Sequence, residues 1–90
     1  MNKQTKAKKT KAQDGLTETE RTWMVSPHCE GLELLNPAQR NEIHNLKTKG
    51  YTLENVTPSG NAMLKIHSDK GWTDASVLPS GEVLLHHFDK

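Results

Sequence analysis

The pattern of apolar and polar residues in the C-terminal part of the chain repeats itself once. Residues 55–67 read NVTPSGNAMLKIH, and 21 positions later residues 76–88 read SVLPSGEVLLHHF. Pro and Ser suit the early positions of a tight turn, and Gly suits the position that needs a positive φ. Each copy therefore predicts a β-hairpin, and the two together predict a four-stranded antiparallel meander.

The predicted strands have two faces of different character. They cover residues 51–57, 61–67, 72–78 and 82–88, with turns at 58–60, 68–71 and 79–81. Successive side chains of a strand point to opposite faces. The residues that this alternation assigns to the first face are Ala62, Leu64, Ile66, Val83, Leu85 and His87. Those assigned to the second face are Met63, Lys65, His67, Leu84, His86 and Phe88, joined by Trp72. The second face is not cleanly polar, so a single helix would leave an apolar patch uncovered.

A helix is predicted over residues 37–49. Asn36 suits the N-cap, Pro37 suits the first helical position, and Gln39 lies where its side chain can reach back to the cap. Gly50 suits the C-terminal end. The apolar stripe of this helix is narrow and consists of Ala38, Ile43 and Leu46. The side chains expected to face water are Arg40, Glu42, His44 and Lys47.

The segment before the helix fits two local structures. Thr17 and Glu20 have the spacing of a capping box ahead of a short helix, whereas residues 22–25 have the composition of a strand. Leu32, Leu34 and Leu35 are predicted to anchor this segment on the domain. One helix followed by a four-stranded meander resembles the layout of the cystatin-like α+β class, although no cystatin inhibitory motif accompanies it.

Length and composition predict one small α+β domain with a marginal core. The chain has 90 residues, of which 32% are hydrophobic and 4% aromatic. A core this small would gain from dimerisation or from docking on a partner. Cys29 is the one cysteine, which excludes an intrachain disulfide and favours a reducing, cytoplasmic location. No apolar run is long enough to span a membrane.

The charge is divided unequally along the chain. Residues 1–12 carry five lysines and no acid, whereas residues 13–90 carry seven basic and eleven acidic side chains, a net charge of −4. The tail over residues 1–15 is predicted to be disordered, because it cannot bury enough apolar surface, and residues 16–90 are predicted to form the domain. The lysines that would contact nucleic acid are Lys3, Lys6, Lys8, Lys9 and Lys11.

Catalytic and metal-binding patterns are weak in this sequence. His28 adjoins Cys29, and His86 adjoins His87, but adjacent strand residues point to opposite faces and chelate poorly. Cys29 would need a base and an oxyanion site to act as a nucleophile, and neither is identifiable. Glu18, Glu20, Glu30 and Glu33 are interpreted as solvated charges. We therefore predict no cofactor and no enzyme activity, and a small enzyme ranks third among the functions.

Two binding functions rank higher. The first is contact with another protein through the second face, for which the candidate residues are Met63, Trp72, Leu84, His86 and Phe88. A small cytoplasmic chain without a catalytic pattern is typical of accessory regulators and of inhibitors, including those of phages and mobile elements. The alternative is nucleic-acid binding through the lysine tail and the sheet, with Tyr51, Trp72 and Phe88 as stacking residues. The alternative to the first function is that residues 23–25 and 32–35 fold back and cover the second face. The alternative to the second is that the lysine tail is only a solubilising leader.

Overall fold

The computed structural model describes residues 15–90, and these form one helix and one antiparallel sheet. The helix α1 spans Pro37–Thr48, and the strands are β1 (Thr52–Val56), β2 (Ala62–Ser68), β3 (Gly71–Val77) and β4 (Val83–Asp89). The strand order is β1-β2-β3-β4, so each strand pairs with its neighbour in sequence. The predicted helix-plus-meander fold is confirmed, and its strand boundaries differ from the predicted ones by about one residue.

The two Pro-Ser-Gly segments are the β1–β2 and β3–β4 turns. Gly60 has a φ of 92° and Gly81 a φ of 93°, the left-handed conformation that the repeat predicted. Each glycine donates its backbone N–H to the residue three positions earlier, Thr57 at 2.8 Å and Leu78 at 2.7 Å. The repeat in the sequence is therefore a repeat of turn structure.

Helix α1 begins with the predicted capping box, which also binds both turns. The Asn36 side chain accepts from the Gln39 backbone N–H at 2.8 Å, and the Gln39 side chain accepts from the Asn36 N–H at 3.1 Å. The Gln39 amide group is fully buried and donates to the carbonyls of Gly60, at 2.6 Å, and Val77, at 3.0 Å. Asn36 donates to the Pro79 carbonyl at 2.7 Å. One helix end therefore holds the sheet end at which the two hairpin turns lie.

The segment before α1 forms the short helical turn that its capping box predicted, and residues 22–25 form a single β-bridge instead of a strand. Thr17 and Glu20 form a reciprocal capping box, and a short 3-10 turn follows at Glu20–Thr22. Val25 then makes a parallel bridge to Leu53 on the outer edge of β1. A second 3-10 turn spans Leu32–Leu34.

The hydrophobic core lies on the first face of the sheet, as a set of side chains contributed by α1, the strands and the N-terminal segment. Its members include Trp23, Leu32, Leu35, Ile43, Leu46, Leu53, Val56, Ala62, Leu64, Ala75 and Val77. The anchor prediction is correct for Leu32 and Leu35, whereas Leu34 is 47% exposed. Among residues 15–90, no helix is long and apolar enough to cross a membrane.

Candidate functional site

The second face of the sheet is left open by the fold. Residues 23–25 and 32–35 pack into the core on the first face or lie exposed, so they leave the opposite face uncovered. Three cross-strand rows form its centre, and they read Met63–Ser76–Leu84, Lys65–Asp74–His86 and His67–Trp72–Phe88. We call these nine residues the open face. Each of them is exposed or half-buried, which distinguishes them from the buried side chains beneath the helix.

Aromatic rings form one end of the open face. Trp72 and Phe88 stack with their ring centres 5.0 Å apart and their planes at 14°. His86 packs against Phe88 at 4.4 Å, and His67 lies 6.4 Å from Trp72. The Lys65 ammonium lies 5.7 Å from the Trp72 ring centre, within the range of a cation–π contact. Stacking between neighbouring strands holds these rings in one orientation without any cover from the rest of the domain.

An open depression of ≈ 410 Å³ lies beside the rings. Its lining residues are Met63, Asp74, Ser76, Leu84, Leu85, His86 and Phe88. Asp74 lies in the middle row, and its Oδ1 atom is buried without a hydrogen-bond donor from any residue of the described chain. The Ser76 hydroxyl contacts the Met63 sulfur at 3.5 Å. The depression therefore combines apolar walls with one carboxylate whose hydrogen bonding is incomplete.

The structure places all five candidate protein-binding residues on the open face. Met63, Trp72, Leu84, His86 and Phe88 come from three strands and share one surface, as the alternation of side chains predicted. Sequence reasoning did not single out Asp74, because one acid in a strand gives no signal until its cross-strand neighbours are known.

The nucleic-acid prediction named stacking residues on the sheet and a lysine tail, and the structure bears on these two parts differently. Tyr51 is wrong as a stacking residue, because it is 8% exposed and belongs to the core. The candidate contacts Lys3, Lys6, Lys8, Lys9 and Lys11 lie outside the described residues, as does the predicted disordered tail apart from Gly15. The Gly15 carbonyl accepts a hydrogen bond from Arg40 at 2.9 Å, so this residue contacts the domain.

The outer face of α1 is less solvated than predicted. Arg40 forms an ion pair with Glu20, and these side chains are 19% and 11% exposed. The Arg40 guanidinium also donates to the carbonyls of Leu32 and Leu35 at 3.2 and 3.3 Å. The interpretation of Glu20 and Arg40 as solvated charges is therefore wrong. Because Arg40 is neutralised and its donors are occupied, it fixes the N-terminal segment on the helix and is not a free anion site.

Lys47 is a second helix residue that the sequence assigned to water. Its ammonium group donates to the carbonyls of Met24 and Tyr51, and so connects the end of α1 to the segment beside β1. Burial lowers the pKa of Lys47 to about 8, against a smaller opposing effect of Glu54. Lys47 therefore has a structural role.

Cys29 is fully buried, and its environment opposes ionisation of the thiol. Burial, followed by the charges of Glu54 and Glu30, raises the pKa of Cys29 to about 11. A nucleophilic cysteine needs the opposite shift. Within residues 15–90, no group of three or more His, Cys, Asp and Glu side chains is arranged to hold a metal ion.

Comparison of the chain with known protein families, curated proteins and solved structures finds no match.

Proposed function

We propose that this chain is a non-enzymatic, cytoplasmic binding protein that contacts another protein through the open face. The observation that carries the proposal is that Met63, Trp72, Leu84 and Phe88 stand on the uncovered side of the sheet while the core lies on the other side. Apolar and aromatic side chains grouped on one surface are typical of protein-binding sites. Cys29 is the one cysteine of the chain and is buried as a free thiol, which fits a reducing, cytoplasmic location.

The chemistry of the open face indicates what the partner surface carries. The apolar row of Met63 and Leu84 and the ring pair of Trp72 and Phe88 fit an apolar segment. Asp74 lies between these groups and lacks a donor for Oδ1. A partner lysine or arginine placed near the Asp74 carboxylate would supply a complementary charge. We therefore propose a partner segment that is apolar and includes one basic side chain.

The test is affinity capture from the native host with matched variants. Leu84→Asp places a charge at a position that is 49% exposed, and Leu34→Asp makes the same change at a position that is 47% exposed and lies outside the sheet. We expect wild-type protein to capture a partner protein even after nuclease treatment. The Leu84→Asp and Met63→Asp variants should fail to capture it, whereas the Leu34→Asp variant should still do so. Circular dichroism checks that each variant is folded.

The basic-partner requirement has its own variant pair. Asp74→Asn removes the charge but keeps the shape, and it should weaken capture by roughly tenfold if a favourable charge contact with the partner is lost. Asp69→Asn, in the exposed β2–β3 turn, is the control and should leave capture unchanged. Equal capture by wild type, Leu84→Asp and Leu34→Asp would contradict the assignment of the site to the open face.

A second candidate function, binding of single-stranded nucleic acid, is supported by the ring cluster. Stacked Trp72 and Phe88 beside Lys65 have the composition of a base-stacking platform. The negative charge of residues 13–90 and the central position of Asp74 oppose phosphate. For this reason protein contact ranks first, and loss of all capture after nuclease treatment would reverse the order.

A further inference from the structure

The two outer edges of the sheet differ in how they are protected. On the β1 edge, Leu53 donates to the Met24 carbonyl at 3.1 Å and accepts from the Ser26 N–H at 2.8 Å. The β1–β2 register also shifts between Leu53 and Asn55, which interrupts that edge. A covering segment and an irregular register are devices that prevent edge-to-edge pairing.

The β4 edge lacks such protection in the described chain. Strand β4 pairs with β3 in an unbroken register and contains no Pro and no Lys. Leu78 N–H bonds to Glu82 and Lys90 N–H to Lys70, so the even-numbered residues of β4 direct their backbone groups towards β3. The N–H and C=O groups of the odd-numbered residues therefore point outwards, and those residues are Val83, Leu85, His87 and Asp89.

The side chains of β4 are also unusually exposed for an apolar strand. Leu84 is 49% exposed on the open face, and Leu85 is 62% exposed on the helix side, where α1 does not reach it. Pairing along the β4 edge would therefore bury apolar surface on both sides of the sheet while satisfying the outward backbone groups.

The sequence of β4 is complementary to itself in one antiparallel register. A twofold axis perpendicular to the sheet keeps each face on its own side, and centring it on His86 pairs all seven strand residues with those of a second copy. This register places Leu84 opposite Phe88 of the second copy. It also places Glu82, just before the strand, opposite Lys90 of the second copy, so opposite charges meet at both ends.

We propose that two copies of this chain pair through their β4 strands, in the register centred on His86, to form a continuous eight-stranded sheet. The occupant of the free edge is thus a second copy of the chain. Phe88 of the second copy extends the depression beside Leu84, so the pairing joins the two open faces into one surface. This inference concerns the strand edge and stands independently of the partner proposed for the open face.

The first test is the oligomeric state of the full chain, measured by sedimentation equilibrium over a range of concentrations. Leu85→Lys should raise the dimer dissociation constant at least about tenfold, because a lysine on an edge strand opposes pairing. Met24→Lys is the matched control, since Met24 is 54% exposed and lies beside the β1 edge. Wild-type protein that remains monomeric, or equal effects of the two substitutions, would overturn the proposal.

The second test addresses the register by exchanging charges at exposed positions that should not disturb the fold. Glu82→Lys and Lys90→Glu each place like charges opposite each other in both symmetry-related pairs, and each should raise the dissociation constant roughly fivefold at low salt. The double variant restores opposite charges and should recover wild-type dimerisation. Failure of the double variant to recover would overturn the His86-centred register.

Discussion

The sharpest stability prediction concerns Gln39, a buried side chain that joins three parts of the fold. Gln39→Ala removes the donor for the carbonyls of Gly60 and Val77 and the acceptor for the Asn36 N–H. A hydrogen bond is worth about 1 kcal/mol net, and an abandoned buried carbonyl costs about 1–3 kcal/mol. Allowing for partial relaxation, we expect a loss of about 2–4 kcal/mol in the free energy of unfolding.

This loss is large compared with the stability of a small domain. Domains are typically stable by about 5–15 kcal/mol, and each kcal/mol shifts the Tm of a domain of this size by roughly 4–8 °C. The measurement is urea unfolding followed by circular dichroism and tryptophan fluorescence. Asn45→Ala is the control, because it truncates an exposed amide on the same helix, and it should change the free energy by less than about 0.5 kcal/mol.

An isosteric variant separates the donor from the packing of Gln39. Gln39→Glu keeps the oxygen that accepts from Asn36 but turns a second oxygen towards the Gly60 and Val77 carbonyls. Burial and these carbonyls should raise the pKa of the new carboxyl group above its unfolded value. The variant should therefore be destabilised at neutral pH, where the carboxyl group is charged. It should regain stability as the pH falls through the raised pKa and the group becomes protonated. A loss below about 1 kcal/mol for Gln39→Ala would refute this account of the helix–turn junction.

Three further predictions follow from the turns, the buried thiol and the basic tail. Gly60→Val and Gly81→Val should each cost about 1 kcal/mol or more in urea unfolding, because a β-branched residue resists a φ near 92°. Cys29 should react with a thiol reagent at pH 8 only after denaturation, because burial raises the pKa of its thiol to about 11. Between about pH 9 and 11 this thiol ionises in the unfolded chain but stays protonated in the folded protein, so the free energy of unfolding should fall as the pH rises. If the alternative function holds, affinity for a single-stranded oligonucleotide should fall with salt with a log–log slope of up to about −3.5 and vanish when residues 1–12 are deleted, whereas unchanged binding after the deletion would exclude the tail.

Local signals in the sequence were sufficient to predict helix α1 and the four strands. The Pro-Ser-Gly repeat predicted the turns at Gly60 and Gly81, and Asn36 with Gln39 predicted the start of α1. The period of two along the second and fourth strands assigned their side chains to faces, and the structure keeps that assignment. These features depend on residues within a few positions of one another, so their conformational preferences are readable without the rest of the chain.

Only the tertiary structure decided which polar groups become structural. Arg40 pairs with Glu20 across 20 residues, and Gln39 reaches Val77 across 38. In the sequence, Arg40 and Glu20 look like solvated charges, because nothing nearby marks a long-range partner. Their burial follows from the path of the N-terminal segment over α1.

The open face and the free edge were likewise decided by packing. Alternation along the strands defined two faces of the sheet, and both contain apolar residues. The pattern alone did not determine which of these faces α1 would cover. The segment around Met24 and Val25 then covers the β1 edge, and no described segment does the same for β4. The sequence thus determined the elements and their faces, whereas the surfaces available for binding depend on how distant segments cover a small sheet.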